Sequence, residues 1–570
     1  MRTTGRSRRL IAALALVVVV VPALVGASGA SGAPAVGTTH YPVSGSGSTW
    51  SANALQQWIR NVSANYQWTV NFDAGGSSAG RQQFSQGTVD FAVSEIPYQL
   101  ANSDSPDPRP NRQFVYIPIV AGGTAFMYNL VIGGQRVTNL RLSGDVVAKI
   151  FTGVITKWND PAILADNPKL ALPAVQIVPV VRSDGSGTTA QLTSWMRSEH
   201  GGIWQDYCSR AGRANCGITS NYPVIAGSAF VAQSGSDGVA GFVKQDQSVG
   251  SITYVEESYA LNARLPVAKV LNAAGYYTEP SASNVAVSLL SAVINSDPTS
   301  PDYLTSNLGG VYTSGDPRTY PLSSYSYMIA PTALESNFTE NKGLTLADFT
   351  AYFLCEGQQQ AEVLGYSPLP VNLASAGLDQ VKKIPGGDPY VKDIGGCNNP
   401  TFSPDGTNKL ANEAPMPPEC DKKGADQCLT GTGGAVEETP DTSATRADAA
   451  NTSTAGSTTA GTTGGSAESA SGAVVAGSVG GATAGSLIVT GSPTELPALG
   501  LSGVTMAFMA LGAVGILVVT LLPPIFARQR ELAVAGKRSP RTPGNGRIPK
   551  VHLPSFGRKP SGEPASDEEA

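Results

Sequence analysis

Charge is scarce in this chain. Asp, Glu, Lys and Arg make up 14% of its 570 residues and leave a net charge of −5, against about a quarter charged in ordinary soluble domains. No basic surface is available for a nucleic-acid backbone, which excludes that class of partner. Any anion the chain holds must therefore be caught by local donors, not by a global field. Histidine is scarcer still. Of the three, His40 and His552 lie near the two ends, and only His200 falls inside the region that reads as folded. A Ser–His hydrolase lacks its base on that count, and a histidine metal cluster lacks its ligands. Cysteine is limited to Cys208, Cys216, Cys355, Cys397, Cys420 and Cys428, with no CxxC pair among them. That spacing speaks against zinc, and an even number in an exported chain reads as disulfides. Of the possible connectivities, the nearest-neighbour one is expected: Cys208–Cys216, Cys355–Cys397 and Cys420–Cys428.

The two ends read as targeting and anchoring segments. Arg2, Arg6, Arg8 and Arg9 precede the apolar run Leu10 to Val25, and small residues lead to Ala30 or Ala33, so residues 1–33 read as a signal peptide. No cysteine lies there to carry a lipid. Residues 496–527 hold no charge, and the apolar core from Leu499 to Leu522 is 24 residues long, about 36 Å as a helix and enough to span a bilayer. The tail 528–570 carries nine Lys or Arg against five acidic residues, which predicts a cytoplasmic end. Residues 429–495 are Gly, Ser, Thr and Ala with few charges and almost no aromatics; they predict a flexible tether. The expected topology is a single membrane pass with the bulk of the chain outside. The remaining residues, 34–428, are too many for one hydrophobic core and predict two lobes. Strand and helix signals alternate, which predicts an α/β architecture.

The region 34–428 contains three Gly- and Ser-rich helix starts. Ile177 to Val181 reads as a buried strand, followed by Arg182-Ser183-Asp184-Gly185-Ser186-Gly187-Thr188-Thr189 and then a helical run. A strand that turns through Gly and Ser into a helix aims several N–H groups and the positive end of the helix dipole at one spot, which favours an oxyanion. Arg182 adds a planar fork of donors, and Asp184 can hold that fork in place. Ser44-Gly45-Ser46-Gly47-Ser48-Thr49-Trp50 precedes a second helix, and Gly75-Gly76-Ser77-Ser78-Ala79-Gly80 opens a third. Together they can close around one small tetrahedral anion. Val89 to Pro97 adds a strand ending in a carboxylate, Glu95. Monohydrogen phosphate has an O–H that needs an acceptor, whereas sulfate has none, so an ionised Glu95 would accept from the first and repel the second.

These four segments, in this order, resemble the phosphate-binding proteins of bacterial phosphate ABC transporters, the PstS family. The likeness continues through Gly235-Ser236-Asp237-Gly238, Ser251-Ile252-Thr253-Tyr254-Val255 and Tyr320-Pro321-Leu322-Ser323 and covers residues 40 to 390. It implies a two-lobe, type II periplasmic-binding-protein-like fold with a hinge and an interlobe cleft. Lobe 1 would comprise residues 34–118 and 260–400, lobe 2 residues 119–259, and residues 401–428 a disulfide-stabilised extension. Carried over by position, the ligand contacts are Thr49, Trp50, Ser77, Glu95, Arg182, Ser186, Gly187 and Thr188, with Asp184 orienting Arg182. Glu95 stands where the family has Asp, and Trp50 where it often has Phe. The resemblance further implies a monomeric binding protein with no catalytic residue, cofactor or metal. Its partners would be inorganic phosphate and the permease subunits of an importer. The alternatives are a surface phosphate sensor, a wall-associated protein without a transport role, and a secreted hydrolase.

Overall fold

In the computed structural model, the residues described are 39–443, apart from 105–106, 215, 388–393 and 425. The expected signal peptide, membrane segment, cytoplasmic tail and most of the expected tether lie outside them. Among the described residues no helix is long and apolar enough to cross a membrane.

One eight-stranded sheet organises the molecule. Its strands are β1 (Val43–Gly47), β2 (Val70–Asp73), β3 (Phe91–Ser94), β4 (Phe114–Tyr128), β5 (Val178–Arg182), β6 (Val231–Gln233), β7 (Ser251–Glu256) and β8 (Ser323–Pro331). They lie in the order β2-β1-β3-β8-β4-β7-β5-β6. The outer groups β2-β1-β3 and β7-β5-β6 are each parallel, and β8 and β4 run antiparallel between them. Parallel strands need helical crossovers. These include α1 (Ala52–Tyr66), α2 (Ser77–Ser85), α3 (Gly187–Glu199) and α4 (Gly235–Lys244). On α1 the buried residues Ala54, Leu55, Trp58 and Val62 recur at helical spacing; each large side chain contributes about 1.5–3 kcal/mol by leaving water.

Strand β4 joins the two halves. Its first part pairs with β8, from Phe114 opposite Pro331 to Gly123 opposite Ser323. Its second part pairs with β7, from Thr124 opposite Glu256 to Tyr128 opposite Ile252. Phe114–Tyr128 is thus one strand that changes partner at Gly122-Gly123. A Cβ on Gly122 would stand 2.7 Å from the Trp50 ring, and one on Gly123 would stand 2.5 Å from the Pro280 Cβ, so both positions require glycine's bare backbone.

Two boundaries differ from the sequence reading. The strand Lys269–Leu271 pairs with Arg141–Leu142, so the chain stays with the second half well past residue 260. After it, the helix Ala282–Leu289 precedes Val293–Ile294, which pairs with Ser306–Asn307. Residues 429–443, expected to belong to the flexible tether, are held on the fold. Oγ1 of Thr432, Thr439 and Thr442 accept from the backbone N–H groups of Val267, Thr138 and Ala171 at 3.2, 2.7 and 2.7 Å. Composition undercounts such a segment because its hydroxyls, not apolar burial, dock it on backbone of the second half. Upstream of it, Lys269 and Asp421 form a buried ion pair at 2.5 Å. The three cysteine pairs are Cys208–Cys216, Cys355–Cys397 and Cys420–Cys428, as expected. Trp158 is buried, and its indole N–H donates to the Gly250 carbonyl at 2.9 Å.

Candidate functional site

The C-terminal ends of the parallel strands converge where the sheet changes from one half to the other. In open α/β sheets this is where ligands bind. Strand β1 delivers Ser48 and Thr49, β2 leads through a glycine turn to Ser77, and β3 ends before Glu95. From the other half, β5 ends in Arg182, β6 leads to Ser236, and β7 ends in Glu256. Glu95 and Arg182 are each 2% exposed and Glu256 is 1% exposed.

Glu95 is the hub on the first side. Its Oε1 accepts from the Ser48 hydroxyl and, at 3.2 Å, from the Ser326 hydroxyl of β8. Its Oε2 accepts from Ser77 Oγ at 2.8 Å. Ser77 Oγ in turn accepts from the Gly187 N–H at 3.1 Å, the first residue of α3. Helix α3 is capped by Ser186, whose Oγ accepts from the Thr189 N–H at 3.2 Å. Burial pushes the Glu95 carboxyl above its ordinary range, against the pull of Ser48, Ser77 and Ser326.

Arg182 is the hub on the second side. Its Nε donates to Asp184 Oδ1 at 2.7 Å, Nη2 donates to Asp184 Oδ2, and Nη1 reaches Ser236 Oγ at 3.3 Å. Asp184 Oδ1 also accepts from the Gly235 N–H at 2.8 Å, at the start of α4. Burial opposes the charge of Asp184, yet the bonds from Arg182 hold its carboxyl below the usual carboxylate range. The two sides are tied together by Thr49 Oγ1, which lies 2.8 Å from Ser236 Oγ, and by Ser78 N–H, which donates to the Gly185 carbonyl at 3.0 Å.

The residues named from sequence therefore meet. Thr49, Ser77, Glu95, Arg182, Gly187 and Thr188 are buried together, and Asp184 grips Arg182 as expected. Ser186 acts through its cap. The Trp50 N–H donates to Ser48 Oγ at 2.9 Å, while its carbonyl accepts from Tyr366 at 2.6 Å. The carboxylate Asp73 is exposed on the edge strand β2. Sequence reasoning missed Ser48, Ser236, Ser326 and Glu256. Ser48 and Ser236 lie inside the segments Ser44–Trp50 and Gly235–Gly238, and Glu256 directly follows Ser251–Val255. Nothing local marks Ser326, which reaches Glu95 only because β8 lies beside β3. The spacing Gly-x-Ser-x-Gly occurs at Gly76–Gly80, with Ser78 at its centre. Its hydroxyl accepts from Arg81 at 3.3 Å, while His200 packs on Trp195 with ring centres 4.7 Å apart and His40 bonds Asp348 at 2.8 Å.

Comparison with known proteins gives the same set of relationships. A family model for the PBP superfamily domain matches residues 28–356. A phosphate-binding protein PstS of Xylella fastidiosa is 32% identical over 337 residues, covering 59% of this chain and 84% of that protein. A phosphate-binding protein PstS of Methanocaldococcus jannaschii is 29% identical, covering 59% of this chain and 85% of that protein. A phosphate-binding protein PstS 3 of Mycobacterium tuberculosis is 30% identical, covering 57% and 82%. With a strand-end anion site at the switch point of its sheet, and relatives of this identity matched over most of their length, the chain belongs to the PBP superfamily and, within it, to the PstS family of phosphate-binding proteins.

Proposed function

We propose that this protein captures inorganic phosphate outside the cell and delivers it to the permease subunits of an ABC-type importer. The observation that carries this reading is a buried carboxylate, Glu95, set among hydroxyl and N–H donors and facing the half that holds a fixed arginine. Donors alone would take any oxyanion. A carboxylate among them needs a ligand that brings its own proton, and phosphate does so where sulfate does not. The serines that now donate to Glu95 are the groups able to turn toward the ligand's oxygens, and the N-terminus of α3 supplies further donors. The work is binding, not bond-breaking, so the family's role as substrate-binding protein applies.

The export signal at 1–33, the apolar segment 496–527 and the basic tail 528–570 support a single-pass membrane anchor with the binding domain outside the cell and the tail within it. In this reading the protein acts as a monomer and is held at the membrane by that C-terminal helix. Titration calorimetry with phosphate, sulfate and arsenate tests the assignment. Phosphate and its protonated analogue arsenate should bind and sulfate should not; equal binding of sulfate would remove the argument from Glu95.

A further inference from the structure

Glu256 closes β7 opposite Thr124, at the point where β4 changes partner. Its Oε1 accepts from Thr188 Oγ1 at 3.0 Å, on the first turn of α3 beside Gly187. Its Oε2 is buried and has no hydrogen-bond partner among the described residues. Such an orphan oxygen, in the wall of an anion site, demands a donor. On the carboxyl as a whole, Arg182 and the Ser236 hydroxyl act favourably and Glu95 unfavourably. A bound oxyanion would join Glu95, Asp184 and Glu256 around Arg182, while the other buried arginine nearby, Arg81, is paired with Asp107. That arrangement is tolerable only if a proton lies between the anion and one of the carboxylates.

We propose that Glu256 is a second specificity-determining carboxylate of this site. The phosphate complex then holds one proton beyond the one that Glu95 accepts, shared between Glu256 Oε2 and the anion. The inference rests on the phosphate reading above. Neutral Glu256 facing monohydrogen phosphate, and ionised Glu256 facing dihydrogen phosphate, contain the same atoms and the same charge. The proton needs no other donor than solvent. The charged and titratable groups that act on Glu256 are Arg182 from β5, Glu95 after β3, Tyr259 from the helix following β7, and Tyr366. Burial pushes both tyrosines well above their ordinary range, so they stay neutral. Burial also pushes Glu256 up to about 7 against the pull of Arg182, which makes its proton exchangeable near neutrality.

The test is calorimetric titration of the full chain with inorganic phosphate at about pH 8.5, in two buffers of different ionisation enthalpy. At that pH free Glu256 is ionised, and free phosphate is chiefly the monohydrogen form. Wild type should take up about one proton per phosphate bound, and its affinity should fall about tenfold per pH unit there. Glu256→Gln should take up almost none, with an affinity independent of pH in the same range. Glu95→Gln, which removes the other buried carboxylate, should keep the uptake. Phosphate binding without proton uptake in wild type overturns this inference alone. So does equal uptake in Glu256→Gln, or uptake lost only in Glu95→Gln, which would place the proton on Glu95. Absence of any phosphate binding overturns the phosphate reading and this inference together.

Discussion

Arg182 supplies both charge and geometry, because Asp184 fixes its Nε and Nη2 and leaves Nη1 beside Ser236. Arg182→Lys keeps the charge and loses the fork, so phosphate affinity should drop by about 2 kcal/mol; calorimetry that finds it unchanged would displace Arg182 from the site. Glu95 governs choice among anions. Glu95→Gln replaces an acceptor by an amide that can donate to a fully ionised oxyanion. Phosphate should weaken and sulfate should gain, a change of preference of about 1–3 kcal/mol in competition titrations. Glu256 also links the site to the stability of the phosphate-free protein. Its carboxyl rises from an ordinary 4.5 to about 7 on folding, chiefly through burial, so between those values the folded protein holds a proton that the unfolded chain has lost. Stability due to this group is therefore full below about pH 4.5 and declines as pH rises to about 7, by about 3.5 kcal/mol at 1.4 kcal/mol per unit. Glu95, Glu257 and Glu279 are shifted in the same direction. Scanning calorimetry of phosphate-free protein should show the decline, and Glu256→Gln should flatten it; a melting temperature rising across that range would contradict the assignment.

Among the elements, α3 is the one whose start the site depends on most. A Cβ on Gly187 would overlap Glu95 Oε2 and stand 2.7 Å from Ser77 Oγ. Gly187→Ala should thus push the two halves apart at the cleft and cost roughly 1–3 kcal/mol of phosphate affinity, a loss that titration beside wild type would measure. The start of α3 was readable in advance because its signals are consecutive: a buried strand, an arginine and carboxylate two apart, then Ser-Gly before a helix. Glu95 was readable for the same reason, as the carboxylate after an apolar strand. Ser326 and Glu256 were not. Ser326 meets Glu95 across 231 positions, and Glu256 meets Thr188 across 68. Those meetings follow from the order of strands in the sheet, which periodicity within a segment does not encode. The same distinction explains the strand β4. Its glycines look like a break until β8 and β7 are seen to pair with its two parts in turn.

At the scale of the whole molecule, the C-terminal extension is integral to the body. Asp421 neutralises the buried Lys269, next to the buried carboxyl of Glu279, which feels both charges. Asp421→Ala strands that lysine and should cost about 3–5 kcal/mol of stability; urea unfolding with an unchanged midpoint would show the pair to be dispensable. Beyond Asp421 the chain closes the Cys420–Cys428 loop and is then held by Thr432, Thr439 and Thr442 to residues of the second half. A pull on the chain after Ser443 meets these bonds first, and Thr442, on Ala171, before Thr439 and Thr432. Peeling would free residues 429–443, about 50 Å of extended chain at roughly 3.3 Å per residue, and would stop at the covalent loop. The load path ends there, on the second half. With the proposed anchor beyond Ser443, tension on it would be absorbed as slack before it reached Arg182 or Glu95, and the grip on phosphate would be mechanically insulated from the attachment.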